Sequence, residues 1–167
     1  LPFKGIAVME PGDASWDFTT QQGIPTVFTR PSSPDWPRVL ALITASTPGH
    51  AVYGYLSDTG DEEVVAVAAL SGNGQFLIPT DTSRNLSFHL AVGADRTRAE
   101  APQPDVADVA PCTPEQLNVV VGISDGDNIN VPLSRYSRPG GWTSARRGEL
   151  PLGWSIGPQL AILAPTV

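Results

Sequence analysis

Short apolar runs alternate along the chain with segments of helical periodicity. The runs predict strands at about residues 5–9, 52–56, 75–79, 118–124 and 152–156. A further run at 24–28 fits an edge strand, because it contains Pro25. Helices are predicted at about residues 36–46, 61–70 and 158–164. Because strands and helices alternate, we expect an α/β fold in which helices flank a parallel sheet.

The run from Val119 to Ile123 has no polar alternation, which is typical of a strand buried on both faces. Polar side chains follow it at once, at Asp125, Asp127 and Asn128. Ligands bind at the carboxyl ends of parallel strands, so this point is a candidate site. The alternative is that Asp125 and Asn128 only form hydrogen bonds within their own turn.

Composition and charge narrow the class of protein. At 167 residues, the chain fits one domain, and its 16 Gly and 17 Pro predict long connections. A net charge of −7, with no basic run, argues against nucleic acid as a partner. No apolar run approaches the ~18 residues of a membrane helix, so membrane insertion is not expected.

The chain starts at Leu1-Pro2-Phe3, which is neither an initiator Met nor a signal peptide. We therefore expect residues 1–167 to be a single α/β unit within a larger domain, whose other segments would be its partners. A β/α barrel closes with eight strands, and fewer are predicted here. The predicted architecture is thus an incomplete, barrel-like one.

Two ordered blocks of residues are similar to a known family. They are Asp125-Gly126-Asp127-Asn128 and Arg146-Arg147-Gly148-Glu149-Leu150-Pro151-Leu152-Gly153-Trp154-Ser155-Ile156. Together with Tyr53-Gly54-Tyr55-Leu56 upstream, they resemble the GxGYxYP family of putative glycoside hydrolases over roughly residues 50 to 167. The resemblance implies a barrel-like domain of an exported, bacterial, extracellular or cell-surface protein whose substrate is a glycan.

Hydrolysis of a glycosidic bond usually needs two carboxylates ~5 to 9.5 Å apart, one protonated and one ionised. The candidates at predicted strand ends are Asp125, Asp127, Asp81 and Asp58, with Glu10 after the first strand. Asp125 is the first choice, because it directly follows a strand and a rigid element positions chemistry better than a loop does. An arginine within ~4 to 6 Å would favour the ionised form of such a carboxylate. The next connection supplies Arg135, Arg138, Arg146 and Arg147.

Sugars also need flat apolar surfaces and hydrogen-bonding groups. Candidates for substrate binding are Tyr136, Trp142 and Trp154 together with Asn128, although Trp154 also fits a buried strand. No cofactor is predicted. A Ca²⁺ or Mg²⁺ ion at Asp125 and Asp127 is left open. His50 and His89 lack the spacing of metal ligands.

Two functions remain open. The first is an exported glycoside hydrolase that acts on a polysaccharide through carboxylates at strand ends. The second is a non-catalytic carbohydrate-binding or structural fragment of a larger surface protein. Carboxylates that converge from different strands would favour hydrolysis, whereas carboxylates each held in its own turn would favour the second function.

Overall fold

A computed structural model of the protein describes residues 5–9, 13–56, 60–93, 111–126 and 128–164. Strands and helices alternate along the chain, and a short π-helix is the helical element between the last two strands. The elements, in chain order, are β1 (Gly5–Met9), α1 (Trp16–Gln22), β2 (Thr26–Phe28), α2 (Trp36–Thr44), β3 (Ala51–Gly54), α3 (Gly60–Gly72), β4 (Phe76–Pro79), α4 (Leu86–Gly93), β5 (Gly122–Ile123), the π-helix (Pro132–Tyr136), β6 (Gly153–Trp154) and α5 (Leu160–Leu163).

The main sheet has four strands in the order β2-β1-β3-β4, and every pair in it is parallel. Strand β1 therefore lies between β2 and β3, and the strand order reverses there. Strands β5 and β6 form a separate parallel pair. The predicted α/β class, with a parallel sheet and flanking helices, is confirmed.

Side chains alternate between the two faces of the main sheet, and helices cover both faces. Met9 and Tyr53 lie in one buried cluster with Phe18 of α1 and Leu86 of α4. The other cluster, on the opposite face, contains Val8 and Val52 and the following residues of α2 and α3: Trp36, Val39, Ile43, Ala66 and Leu70. Burial on both faces explains why the central strands are apolar without interruption.

The barrel-like part of the expectation stays a prediction, because the described residues form an open four-stranded sheet and a separate pair. The assignment of the chain to a single unit of a larger domain also stays a prediction. No helix in the described parts of the chain is both long and apolar enough to cross a membrane.

The prediction of a buried strand at 118–124 was wrong in extent and in burial. Only Gly122 and Ile123 are in a strand, and Val119, Val120 and Val121 are 70%, 92% and 50% exposed. Consecutive β-branched residues favour extended structure, but burial needs neighbours on both faces. Strand β5 pairs only with β6, away from the sheet that the helices cover.

Other elements lie close to the predicted positions. Strand β1 has the predicted bounds, and β3, β4 and β6 are shorter than predicted or displaced by a residue. Helices α2 and α3 match to within two residues at each end, whereas α5 has only four residues. Three helical segments were not among the predicted helices, namely α1, α4 and the π-helix, the last in a stretch that was expected to be a loop.

The pairing of β1 with β3 depends on Gly54. This residue has a φ of +108°, and a Cβ atom placed on it would overlap the carbonyl oxygen of Val8 on the neighbouring strand. An alanine at this position would combine an unfavourable backbone conformation with a backbone clash.

We expect Gly54→Ala to lower the free energy of unfolding by more than about 2 kcal/mol, measured by chemical denaturation. The matched control is Gly72→Ala at the end of α3, where a Cβ atom meets nothing within 4 Å. That change should alter stability by less than about 1 kcal/mol. Equal effects of the two substitutions would contradict the role assigned to Gly54.

Candidate functional site

The candidate site lies at the carboxyl ends of β3 and β4. Tyr55 directly follows β3, and Thr80 and Asp81 directly follow β4. These strands are parallel neighbours, so their carboxyl ends meet at one edge of the sheet. The backbone at Thr80 donates a hydrogen bond to the carbonyl oxygen of Gly54, which fixes the two ends against each other (3.2 Å).

Tyr55 reaches from the end of β3 to the first turn of α3. Its hydroxyl donates a hydrogen bond to Oε2 of Glu63 over 2.8 Å, and both side chains are partly buried. Glu63 also benefits from its position, since a carboxylate is stabilised near the amino end of a helix. The pair places a second carboxylate, beside that of Asp81, at this edge.

Burial and acidic neighbours raise the pKa of Tyr55 to about 12. Burial is the largest cause, followed by the hydrogen bond to Glu63 and then by the negative charges of Glu63, Asp81 and Asp125. Each carboxylate opposes the loss of a proton from the phenol, because ionisation would add a second negative charge nearby. Asp81 and Asp125 are thus both close enough to Tyr55 to act on it electrostatically.

A chain of hydrogen bonds joins Asp81 to the segment that carries Asp125. Asn130 donates from Nδ2 to Oδ1 of Asp81 over 2.8 Å. The hydroxyl of Ser83 donates to Oδ1 of Asn130. The backbone N–H of Asn130 donates to Oδ1 of Asn128 (2.9 Å), and the backbone N–H of Asn128 donates to the carbonyl oxygen of Asp125 (3.3 Å). The Asp81 carboxylate is therefore connected through this chain to the backbone of Asp125.

Asp125 lies just past β5 in an unusual backbone conformation. Its φ is +79°, in a region where Asp and Asn are the commonest residues after Gly. Oδ2 of Asp125 lies 3.7 Å from a guanidinium nitrogen of Arg135, so the expected arginine neighbour is present. Both side chains are more than half exposed, so the ion pair contributes at most about 1 kcal/mol. The expectation that the sheet would hold the backbone of Asp125 is wrong, since β5 ends at Ile123.

Several predicted residues cannot be placed. Asp58, Asp127 and Glu10 lie outside the described residues. Among the residues that are described, no three His, Cys, Asp or Glu side chains form a group that could hold a metal ion. The Ca²⁺ or Mg²⁺ ion considered for Asp125 and Asp127 stays a prediction.

Three of the predicted sugar-binding residues form an aromatic cluster. The rings of Tyr136 and Trp142 each contact Trp154 edge to face, with centroids 5.0 and 5.4 Å apart. Tyr136 is buried, and its hydroxyl donates to the carbonyl oxygen of Ser124 (2.8 Å). Trp142 is 46% exposed, and the guanidinium of Arg147 lies 4.2 Å from the centre of its ring. Tyr136 is thus largely structural, whereas Trp142 presents aromatic surface.

The aromatic cluster separates two cavities. One, of about 350 Å³, is lined by Trp154 and by the charged residues Arg146, Arg147 and Glu149. The other, of about 490 Å³, is lined by Tyr136, Trp142 and residues without formal charge. The fourth predicted residue, Asn128, has its side-chain oxygen engaged by Asn130, as the turn alternative anticipated.

Comparison with protein families identifies the segment that contains β5, the π-helix, β6 and α5. Residues 117–167 match the GxGYxYP putative glycoside hydrolase C-terminal domain. The match confirms the resemblance for this GxGYxYP segment, which contains Asp125 and the aromatic cluster. Comparison with curated proteins and with solved structures finds no match.

Glu63 and Asn130 were not predicted from the sequence, and Tyr55 was noted only as part of the family resemblance. Glu63 comes from the first turn of a helix and Asn130 from the connection after Asp125, and neither directly follows a predicted strand. The signal that could have identified Asn130 is its place two residues after Asn128, in the same polar stretch as Asp125. For Glu63 the sequence holds no comparable signal, because its approach to Tyr55 depends on how α3 packs.

The contact between Tyr55 and Glu63 can be tested by a tyrosine ring NMR titration. We expect Tyr55 to ionise with a midpoint of about 12 and Glu63→Gln to lower this pKa, because the substitution removes one negative charge. In the matched control Asp61→Asn, the charge that is removed lies in the same helical turn but does not act on Tyr55. A midpoint that responds equally to both changes would contradict the contact.

The raised pKa of Tyr55 also predicts how the free energy of unfolding depends on pH. The folded-state pKa of Tyr55 is above its ordinary value of 10.0. Tyr55 therefore stabilises the folded state fully below about pH 10, and this contribution is lost as the pH rises through about 12. The free energy of unfolding of the Tyr55→Phe variant should accordingly depend less on pH in this window than that of the parent protein.

Proposed function

We propose that this chain is part of an exported glycoside hydrolase that acts on a polysaccharide. The observation that carries the proposal is that the charges of Asp81 and Asp125, which follow strands of different sheets, both act on Tyr55. Asn130, which donates to Asp81, is also hydrogen-bonded within the turn that begins at Asp125. The family label of the GxGYxYP segment supports the same reaction class. Glycoside hydrolysis uses two carboxylates, and Asp81 and Asp125 supply two that follow separate strands.

Asp125 is our candidate for the base or nucleophile. Its Oδ2 lies 3.7 Å from a guanidinium nitrogen of Arg135, and a carboxylate is the group that accepts a proton from water or attacks the anomeric carbon. Asp81 is our candidate for the acid that protonates the leaving oxygen. Its Oδ1 accepts the hydrogen bond from Asn130, which holds this carboxyl group in position. Asp58 and Asp127 remain further candidates for these two roles.

Substrate contacts would come from the residues beside Asp125. We assign Trp142 as the main aromatic contact, because nearly half of it is exposed, with Trp154 at the margin of the charged cavity. Tyr136 and Asn128 would act by holding the loop in shape, since the Tyr136 hydroxyl and the Asn128 side-chain oxygen already form hydrogen bonds. The proposed location is the outside of a bacterial cell or its surface.

The second candidate, a non-catalytic carbohydrate-binding or structural piece, is favoured by one observation. The aromatic cluster lies within the GxGYxYP segment, and no residue of β3 or β4 lines either of its two cavities, so it could hold a glycan without those strands. Hydrolytic activity separates the two candidates, since binding alone releases no reducing ends.

The deciding variant is Asp125→Asn in the complete protein. We expect it to lower the rate of reducing-end release from a polysaccharide substrate by about 10²- to 10⁴-fold, because it removes the acid–base group. The melting temperature should stay nearly unchanged, since Asn tolerates the positive φ of this position as well as Asp does.

The matched control is Asp35→Asn, because Asp35 is exposed and its side chain makes no capping hydrogen bond to α2. It should leave both activity and melting temperature unchanged. If Asp125→Asn instead keeps its activity but unfolds several degrees earlier, Asp125 is a structural turn residue and the hydrolase proposal loses its main support.

A further inference from the structure

A cavity of about 490 Å³ lies between α4, the π-helix and the loop that carries Trp142. Its size falls within the range of small-molecule sites in proteins. The residues that matter for its chemistry are His89, Tyr136, Ser137, Trp142, Thr143 and Ile156. Among the described residues that line it, none is an Asp, Glu, Lys or Arg.

The polar groups of this cavity suit a ligand that carries hydroxyl groups. Nδ1 of His89 is buried and has no hydrogen-bond partner among the described residues, and an unsatisfied buried polar atom costs stability. The hydroxyls of Ser137 and Thr143 donate to the carbonyl oxygens of Leu133 and Arg138 over 2.9 and 3.3 Å. With their protons committed, both oxygens can only accept, so the complementary group on a ligand is a donor.

The apolar part of the lining suits a ring. Trp142 offers exposed indole surface, and Ile156 lies on the same cavity and is 51% exposed. A pyranose has hydroxyls around its edge and C–H groups on its faces, so it matches a neutral lining that combines an aromatic surface with hydrogen-bond acceptors. A charged ligand would find no opposite charge among these residues.

The π-helix contacts both the cavity and Asp125. Tyr136 lines the cavity, and its neighbour Arg135 reaches Asp125. The hydroxyl of Tyr136 also donates to the carbonyl oxygen of Ser124, the residue before Asp125. Tyr136 therefore links the cavity to the turn that carries Asp125.

We propose that the cavity lined by His89 and Trp142 is a subsite for one neutral pyranose unit of the substrate, with His89 as its hydrogen-bonding group. This inference rests on the proposed function and names the substrate class as a neutral glycan. Trp142 supplies the surface on which the ring lies.

The two histidines of the chain provide a direct test. Imidazole NMR signals of the 167-residue chain are followed while neutral disaccharides (cellobiose, maltose, mannobiose and galactobiose) are added in turn. We expect the His89 signals to shift saturably with at least one of them. His50 does not line the cavity, and its signals should not move.

Two variants locate the binding. Trp142→Ala should weaken the affinity at least tenfold, and His89→Phe, which keeps a ring and removes the nitrogens, should weaken it at least fivefold. The matched control is Trp16→Ala, since Trp16 is similarly exposed, at 41%, and stacks on Phe28 instead. It should leave the affinity unchanged.

The outcomes separate this inference from the proposed function. If the complete protein hydrolyses a glycan but no neutral disaccharide shifts His89, or if Trp142→Ala binds as well as the parent, the subsite is refuted and the hydrolase proposal stands. If neutral disaccharides bind through Trp142 but no hydrolysis occurs, the subsite stands and the hydrolase proposal fails. Tighter binding of a uronic-acid disaccharide would refute the neutral class.

Discussion

The parallel pairing of β1 with β3 is the interaction on which the rest of the fold depends. A glycine stands at each end of the paired stretch, Gly5 opposite Ala51 and Gly54 opposite Val8, and a Cβ atom on either would overlap a carbonyl oxygen across the pair. Larger residues would push the strands apart. Both helical layers pack on these two strands, so their spacing determines where α1 to α4 can lie and where the carboxyl ends of the strands meet.

The candidate site follows from that arrangement. Because β3 and β4 end side by side, Tyr55 and Asp81 emerge at one edge, and α3 returns Glu63 to Tyr55 from the same side. Asp125 belongs to a different sheet and joins the edge only through Asn130 and its own charge. The site thus combines two carboxylates fixed by the main sheet and its helix with one that is positioned by loop contacts.

Much of the fold could be predicted from the sequence, but less of the site. Strand β1 and helix α2 were found because apolar patterns report local periodicity directly. The Val119–Val121 segment was misjudged because such a pattern reports β propensity, whereas burial depends on which elements pack against it. Helix α1 was missed because Thr19, Thr20 and Gln21 are weak evidence for a helix, which here is stabilised by Phe18 packing against Tyr53. Glu63 was missed for a similar reason, since its role arises from packing between elements.

One hydroxyl group connects the two halves of the GxGYxYP segment. The phenol of Tyr136 lies against the carbonyl oxygens of both Ser124 and Ser155, the residues that directly follow β5 and β6. A two-stranded pair of this length is too short to hold its own geometry. The π-helix, through Tyr136, therefore orients the turn that carries Asp125, and the same residue lines the 490 Å³ cavity. Substitutions elsewhere in the lining could adapt the cavity to a different sugar and leave Asp125 in place. A substitution of Tyr136 would change both.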